Sequence, residues 1–157
     1  LQDAGAPAAR YYINQEFLAL VKGVPHKKGN LPSLRSKKNK RRNEKSRYEL
    51  IDVIGGYGLI KIHTVKGLHI QIPRQLSLMR HPVLGDARHG DRRANLFLSE
   101  TCALNRPFLH LSRIFFTPPA AYPVTVDSEL PGDLQLVIKR LQKMRTAAGL
   151  ENSCLLE

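Results

Sequence analysis

Two apolar runs on either side of a glycine-rich reversal constrain this chain most. Tyr48 to Ile54 and Leu59 to Val65 are rich in β-branched residues, and Gly55-Gly56-Tyr57-Gly58 separates them. Branching at Cβ suits a pleated, half-buried surface, and glycines in the connection permit the positive φ of a tight reversal. The pattern predicts a hairpin. Upstream, Tyr11 to Val21 turns apolar and contains the compact run Phe17-Leu18-Ala19-Leu20-Val21, which predicts a buried strand stopped by Gly23 and Pro25.

Beyond the hairpin, Ile72, Leu76 and Met79 recur at helical spacing after Gly67. Pro73 is compatible with a short helix only where it opens the helix, since no amide donor is lost there. His81-Pro82-Val83-Leu84-Gly85-Asp86 reads as a turn, and the polar stretch to Arg93 as loop. Phe108 to Phe116 and Val124-Thr125-Val126 read as strands, with Pro118 and Pro119 between them. Leu134, Val137, Ile138, Leu141 and Met144 form one stripe at three- and four-residue steps, with Lys139, Arg140, Lys143 and Arg145 elsewhere on the helix. The expected organisation is a lead-in at 1–10, one domain over 11–145 with a basic loop inserted at 27–47, and a frayed tail at 146–157. With no internal repeat, this order predicts an α+β fold with a mixed or antiparallel sheet and flanking helices.

Charge narrows the function. The chain of 157 residues has 25 Lys+Arg against 13 Asp+Glu, a net +12. The excess is concentrated: 27–47 holds Lys27, Lys28, Arg35, Lys37, Lys38, Lys40, Arg41, Arg42, Lys45 and Arg47 against the single acid Glu44. The rest of the chain is nearly balanced. Such a loop, with Gly29, Pro32 and almost no aliphatics, is expected to be exposed. Cations that neutralise phosphates release condensed counterions, so RNA is the natural partner. A solvated loop or a nuclear-localisation-like run fits the same composition. Arg88, Arg92 and Arg93 join the candidate RNA contacts.

Some classes are disfavoured. No apolar stretch approaches the ~18 residues a membrane helix needs, and residues 1–10 lack a signal-peptide layout. The chain is expected to be soluble and not secreted. Cys102 and Cys154 share no metal or disulfide spacing, which points to a reducing compartment. No phosphate loop, nucleophile elbow or metal-ligand set occurs, so neither metal nor cofactor is expected. His63, His69 and His81 read as structural or surface residues. Asp86 and Asp133 sit beside glycines, where a carboxylate commonly accepts backbone amides in a turn.

Several segments, in order, carry a resemblance. Phe17-Leu18-Ala19-Leu20-Val21-Lys22-Gly23, then Gly67 to Arg74, then His81-Pro82-Val83-Leu84-Gly85-Asp86-Ala87-Arg88-His89-Gly90-Asp91, then Phe108-Leu109-His110 and Leu130-Pro131-Gly132-Asp133-Leu134-Gln135 follow one another with the spacing of a known family. Over roughly 11–145 the chain resembles the RluA-type RNA pseudouridine synthases, in the later part of their catalytic domain. The resemblance implies a fold incomplete on its N-terminal side. It also implies chemistry in which a uridine is flipped from its stack and isomerised with the help of an Asp carboxylate, without metal or cofactor.

The departures from that family are on the substrate side. The HRLDxxTSG motif that carries the catalytic Asp is absent here, so either the chain begins after it or the protein has dispensed with it, and no catalytic residue is assigned. The aromatic that packs on the target base, usually Tyr, falls at Phe17. Where the family has HQIR, this chain reads Ile70-Gln71-Ile72-Pro73. The guanidinium that would hold the carboxylate ionised is replaced by Pro73. Arg74 stands one residue on, about 100° around a helix, and only a slipped register would restore it. Phe17, Ile72, Pro73 and Arg74 are thus the active-site-equivalent positions.

Three readings follow. The first is a catalytically inactive, pseudouridine-synthase-like RNA-binding protein that scaffolds or assists assembly of a ribosome-type ribonucleoprotein, with rRNA and ribosomal or assembly-factor proteins as partners. The second is an active synthase whose Asp-bearing half lies outside this chain. The third is an interaction module whose sheet edge is covered by a neighbour. The resemblance also implies a mitochondrial location, with nucleus or cytoplasm as alternatives.

Overall fold

A computed structural model describes residues 13–34, 46–65 and 69–153. In chain order the elements are β1 (Asn14–Val21), β2 (Lys28–Asn30), β3 (Arg47–Ile54), β4 (Tyr57–Val65), a 3-10 turn (His69–Gln71), α1 (Ile72–Leu78), α2 (Arg92–Cys102), β5 (Leu109–Phe116), β6 (Val124–Asp127) and α3 (Gly132–Ser153). The strands form one sheet in the order β2-β3-β4-β1-β5-β6, and every neighbouring pair is antiparallel. This is the α+β architecture expected, with the antiparallel alternative realised.

Side chains alternate between the two faces of a strand, so the register decides what each layer contains. Phe17 pairs with Ile62 and Ala19 with Ile60. These four and Val21 bury on the first face with Ile72 and Leu76 of α1. Leu20 points to the second face and packs with Leu98 and Cys102 of α2, Leu134, Val137 and Leu141 of α3, and Phe108. Because β1 is covered on both sides at this end, it reads as a continuous apolar run rather than an alternation. β4 lies beside it and alternates cleanly, with Gly58, Ile60, Ile62 and Thr64 buried.

The hairpin forms as predicted. Gly55 and Gly56 make its two-residue turn with φ of 59° and 83°, a pair of left-handed conformations that glycine adopts without steric cost. Pro73 opens α1, as its missing amide requires.

Three expectations are corrected. The stretch to Arg93 is not all loop, because α2 starts at Arg92. The Asp91 carboxylate accepts from the Ala94 amide at 2.8 Å, which caps the helix, while Leu98 and Cys102, one turn apart, bury on its inner face. The basic loop is not exposed throughout, because its base pairs as β2 and closes into the sheet. Leu31 and Ser46 are each only 2% exposed, the Leu31 amide donates to the Ser46 carbonyl at 2.8 Å, and the Ser46 and Thr64 hydroxyls meet at 2.7 Å. At the other end, α3 runs past Thr146 to Ser153, although Met144, the last residue of the predicted stripe, is already 39% exposed.

Candidate nucleic-acid interface

The four active-site-equivalent residues lie around the first face. Phe17 is 7% exposed and packs in one cluster with fully buried Ile72. The imidazole of His69, on the 3-10 turn, stacks against the Phe17 ring with centroids 6.1 Å apart and planes inclined by 16°. Pro73 is partly buried in the first turn of α1, and Arg74 beside it is exposed. The structure therefore brings Phe17 and Ile72 together and leaves Arg74 in solvent. Among the described residues, no carboxylate lies within ion-pairing distance of Arg74.

Polar atoms remain beside this cluster. His69 Nδ1 and Gln15 Oε1 are buried without a hydrogen-bond partner among the described residues, and Gln15 shares the face of Phe17 two residues away. An unmet buried polar atom costs about 1–3 kcal/mol. An imidazole and a side-chain amide can hydrogen-bond a base, whereas the Phe17 ring is already covered, and none of the three is an acid.

The basic candidates fall into two exposed groups. Lys27 and Lys28 lead into β2 and Arg47 opens β3; Lys28 pairs with Glu49 at 3.3 Å. Arg88, Arg92 and Arg93 are exposed on the turn before α2 and on its first residues. Cations at a helix N-terminus are disfavoured by the peptide dipoles, so this second group gains most from an anionic partner. Arg35, Lys37, Lys38, Lys40, Arg41, Arg42 and Lys45 lie outside the described residues.

The turn that supports the second group is a hydrogen-bonded knot. The His81-Pro82-Val83-Leu84 segment runs against the end of β1, with the Lys22 amide donating to the Pro82 carbonyl at 2.9 Å and the Leu84 amide to the Leu20 carbonyl at 2.9 Å. The Asp86 carboxylate is nearly buried and accepts from the Arg88 amide at 2.9 Å and the His89 amide at 3.3 Å, the turn role expected of it. Asn95 reaches back from α2: its Oδ1 accepts from the Gly85 amide at 2.8 Å and its Nδ2 donates to the Asp86 carbonyl at 2.9 Å. Asp133 is not a turn residue; it sits in the first turn of α3 and takes a bidentate pair from Arg106 at 2.6 and 3.0 Å. That guanidinium holds the Asp133 carboxyl below the usual carboxylate range. Likewise the ammonium of Lys22, hydrogen-bonded to Asp91, and the Ala94 amide lower the Asp91 carboxyl. Sequence reasoning missed Asn95 and the capping role of Asp91, while His69, read as structural or surface, packs on Phe17. Only Asp91 carried a signal, an N-cap residue type immediately before a helix.

No family model matches the chain. The tRNA pseudouridine synthase C of Salmonella typhi is 41% identical over 63 residues, which is 40% of this chain and 24% of that protein. The ribosomal large subunit pseudouridine synthase D of Zymomonas mobilis is 28% identical over 150 residues, 87% of this chain and 47% of that protein. Over most of its length the chain is similar to RNA pseudouridine synthases, in line with its resemblance to the RluA type. Among solved structures, human RNA pseudouridylate synthase domain containing 4 superposes with a TM-score of 0.61 at 16% identity, over 83% of this chain and 62% of that one, which places the fold with the pseudouridine synthases. The chain spans 24% to 47% of the length of the two curated synthases.

Proposed function

We propose that this pseudouridine-synthase-like chain belongs to a protein that binds structured RNA and does not isomerise uridine. In this reading it assists assembly of a ribosome-type ribonucleoprotein, with rRNA and ribosomal or assembly-factor proteins as partners and the mitochondrion as its site. The observation that carries the reading is the state of the base-stacking position. The Phe17 ring is covered by His69 and buried, while the neighbouring helix position holds Pro73, which has no group to pair with a carboxylate. RNA binding is supported by the relatives, whose names refer to tRNA and to the ribosomal large subunit, and by the exposed Arg88, Arg92 and Arg93. Among the described residues no helix is long and apolar enough to cross a membrane.

Uridine-to-pseudouridine conversion, measured on RNA co-purified with the full-length protein, should be absent. Turnover that vanishes on replacing one Asp elsewhere in the polypeptide would overturn the reading in favour of an active synthase. Crosslinking of the tagged protein in cells should recover rRNA, and imaging should place it in mitochondria.

A further inference from the structure

Among the described residues, α2 and α3 cover the second face of the sheet at the end of β1 that carries Leu20. Toward Asn14 it holds a cleft of about 670 Å³, within the usual size range for small-ligand sites. Glu16 lines it, with a side chain 20% exposed, ringed by Lys61 Nζ at 3.6 Å, His63 Nδ1 at 3.8 Å and Arg113 Nη1 at 3.8 Å. Lys61 and Arg113 hold the carboxylate by charge, and all three distances are too long for hydrogen bonds. Neither Glu16 oxygen accepts a hydrogen bond from the described residues; each makes only these longer ion-pair contacts. Phe115, 41% exposed, lines the same cleft on β5, and exposed Arg47 lines it on β3.

We propose that this cleft holds an unpaired guanine of the bound RNA. A carboxylate whose two oxygens accept no hydrogen bond from the described residues matches a pair of parallel N–H donors, and guanine offers two, N1–H and N2–H, on one edge. Uracil offers one, and cytosine and adenine offer only an exocyclic amine. Phe115 supplies the stacking surface, as exposed aromatics do on sheets that bind single strands. Arg47 meets the flanking phosphate. The inference rests on the RNA-binding reading above and deepens it: the guanine site is on the sheet face opposite Phe17.

The test compares two single-stranded oligonucleotides that differ only in one guanosine or inosine, which lacks the N2 amine, titrated against the full-length protein. A bidentate pair is worth enough discrimination to make guanosine bind about tenfold tighter. Glu16→Gln, whose amide presents one acceptor and one donor, should bring the two oligonucleotides to the same affinity, with an unchanged melting temperature showing the fold intact. Phe115→Ala should weaken the guanosine oligonucleotide about tenfold. Equal affinity of the wild-type protein for both oligonucleotides, with binding still salt-dependent, overturns the guanine site and leaves the RNA-binding reading standing. Absence of binding to any RNA overturns both.

Discussion

Replacing Phe17 by Ala separates a core residue from a base-stacking one. The ring is 93% removed from solvent, given its 7% exposure, and lies against His69, Ile62 and Ile72. Burying about 200 Å² of aromatic surface at about 25 cal/mol per Å² contributes about 5 kcal/mol, of which the alanine methyl keeps about 1–2. The cavity left beneath His69 adds to the remainder, so the expected loss is about 3–5 kcal/mol. For a domain of this size that lowers the melting temperature by about 10 °C, since each kcal/mol is worth about 2–4 °C. Urea melts should show a lower midpoint with an unchanged slope, the signature of lost stability in an otherwise similar native state. A variant that melts like the parent but no longer binds RNA would refute this reasoning, because the ring would then be available to a base.

Gly85→Ala should be among the most damaging single changes. Its φ is +84° and an added Cβ would meet the Arg106 carbonyl oxygen at 2.2 Å, so backbone must move and a loss above about 2 kcal/mol is expected in thermal melts. Asp91→Ala removes the cap on α2 and the partner of Lys22, and should cost about 1–2 kcal/mol at neutral pH. Because the folded-state Asp91 carboxyl titrates below its ordinary 3.8, its contribution is present above that value and fades as pH falls through the lower, folded one. Melting temperature followed from pH 5 downward should therefore fall less steeply in Asp91→Ala than in the parent, and parallel curves would count against it. Changing Lys37, Lys38, Lys40, Arg41 and Arg42 together to Gln should weaken RNA binding and flatten its logarithmic salt slope by up to about 4, at roughly 0.9 per phosphate contact. An unaltered slope would remove those side chains from the phosphate contacts.

The sequence by itself determined the features that depend on neighbours in the chain. The hairpin was legible because Gly55 and Gly56 are needed at positive φ, α1 because Pro73 is tolerated only in a first turn, and the start of α3 because Leu134, Val137 and Leu141 repeat on one helical face. That Pro73 stands where the resemblance would place an arginine was equally plain. Only the tertiary structure decided which groups meet across the sheet. Glu16, Lys61, His63 and Arg113 come from three strands and converge because β1 pairs with β4 and β5 in one register, interrupted by a bulge between Glu16 and Phe17. A slip of one residue would exchange the faces and put Glu16 where Phe17 packs. His69 over Phe17 and the base of the basic loop in β2 are likewise long-range outcomes. Register and stacking are set by the best burial of the whole sheet, and no local periodicity encodes that optimum.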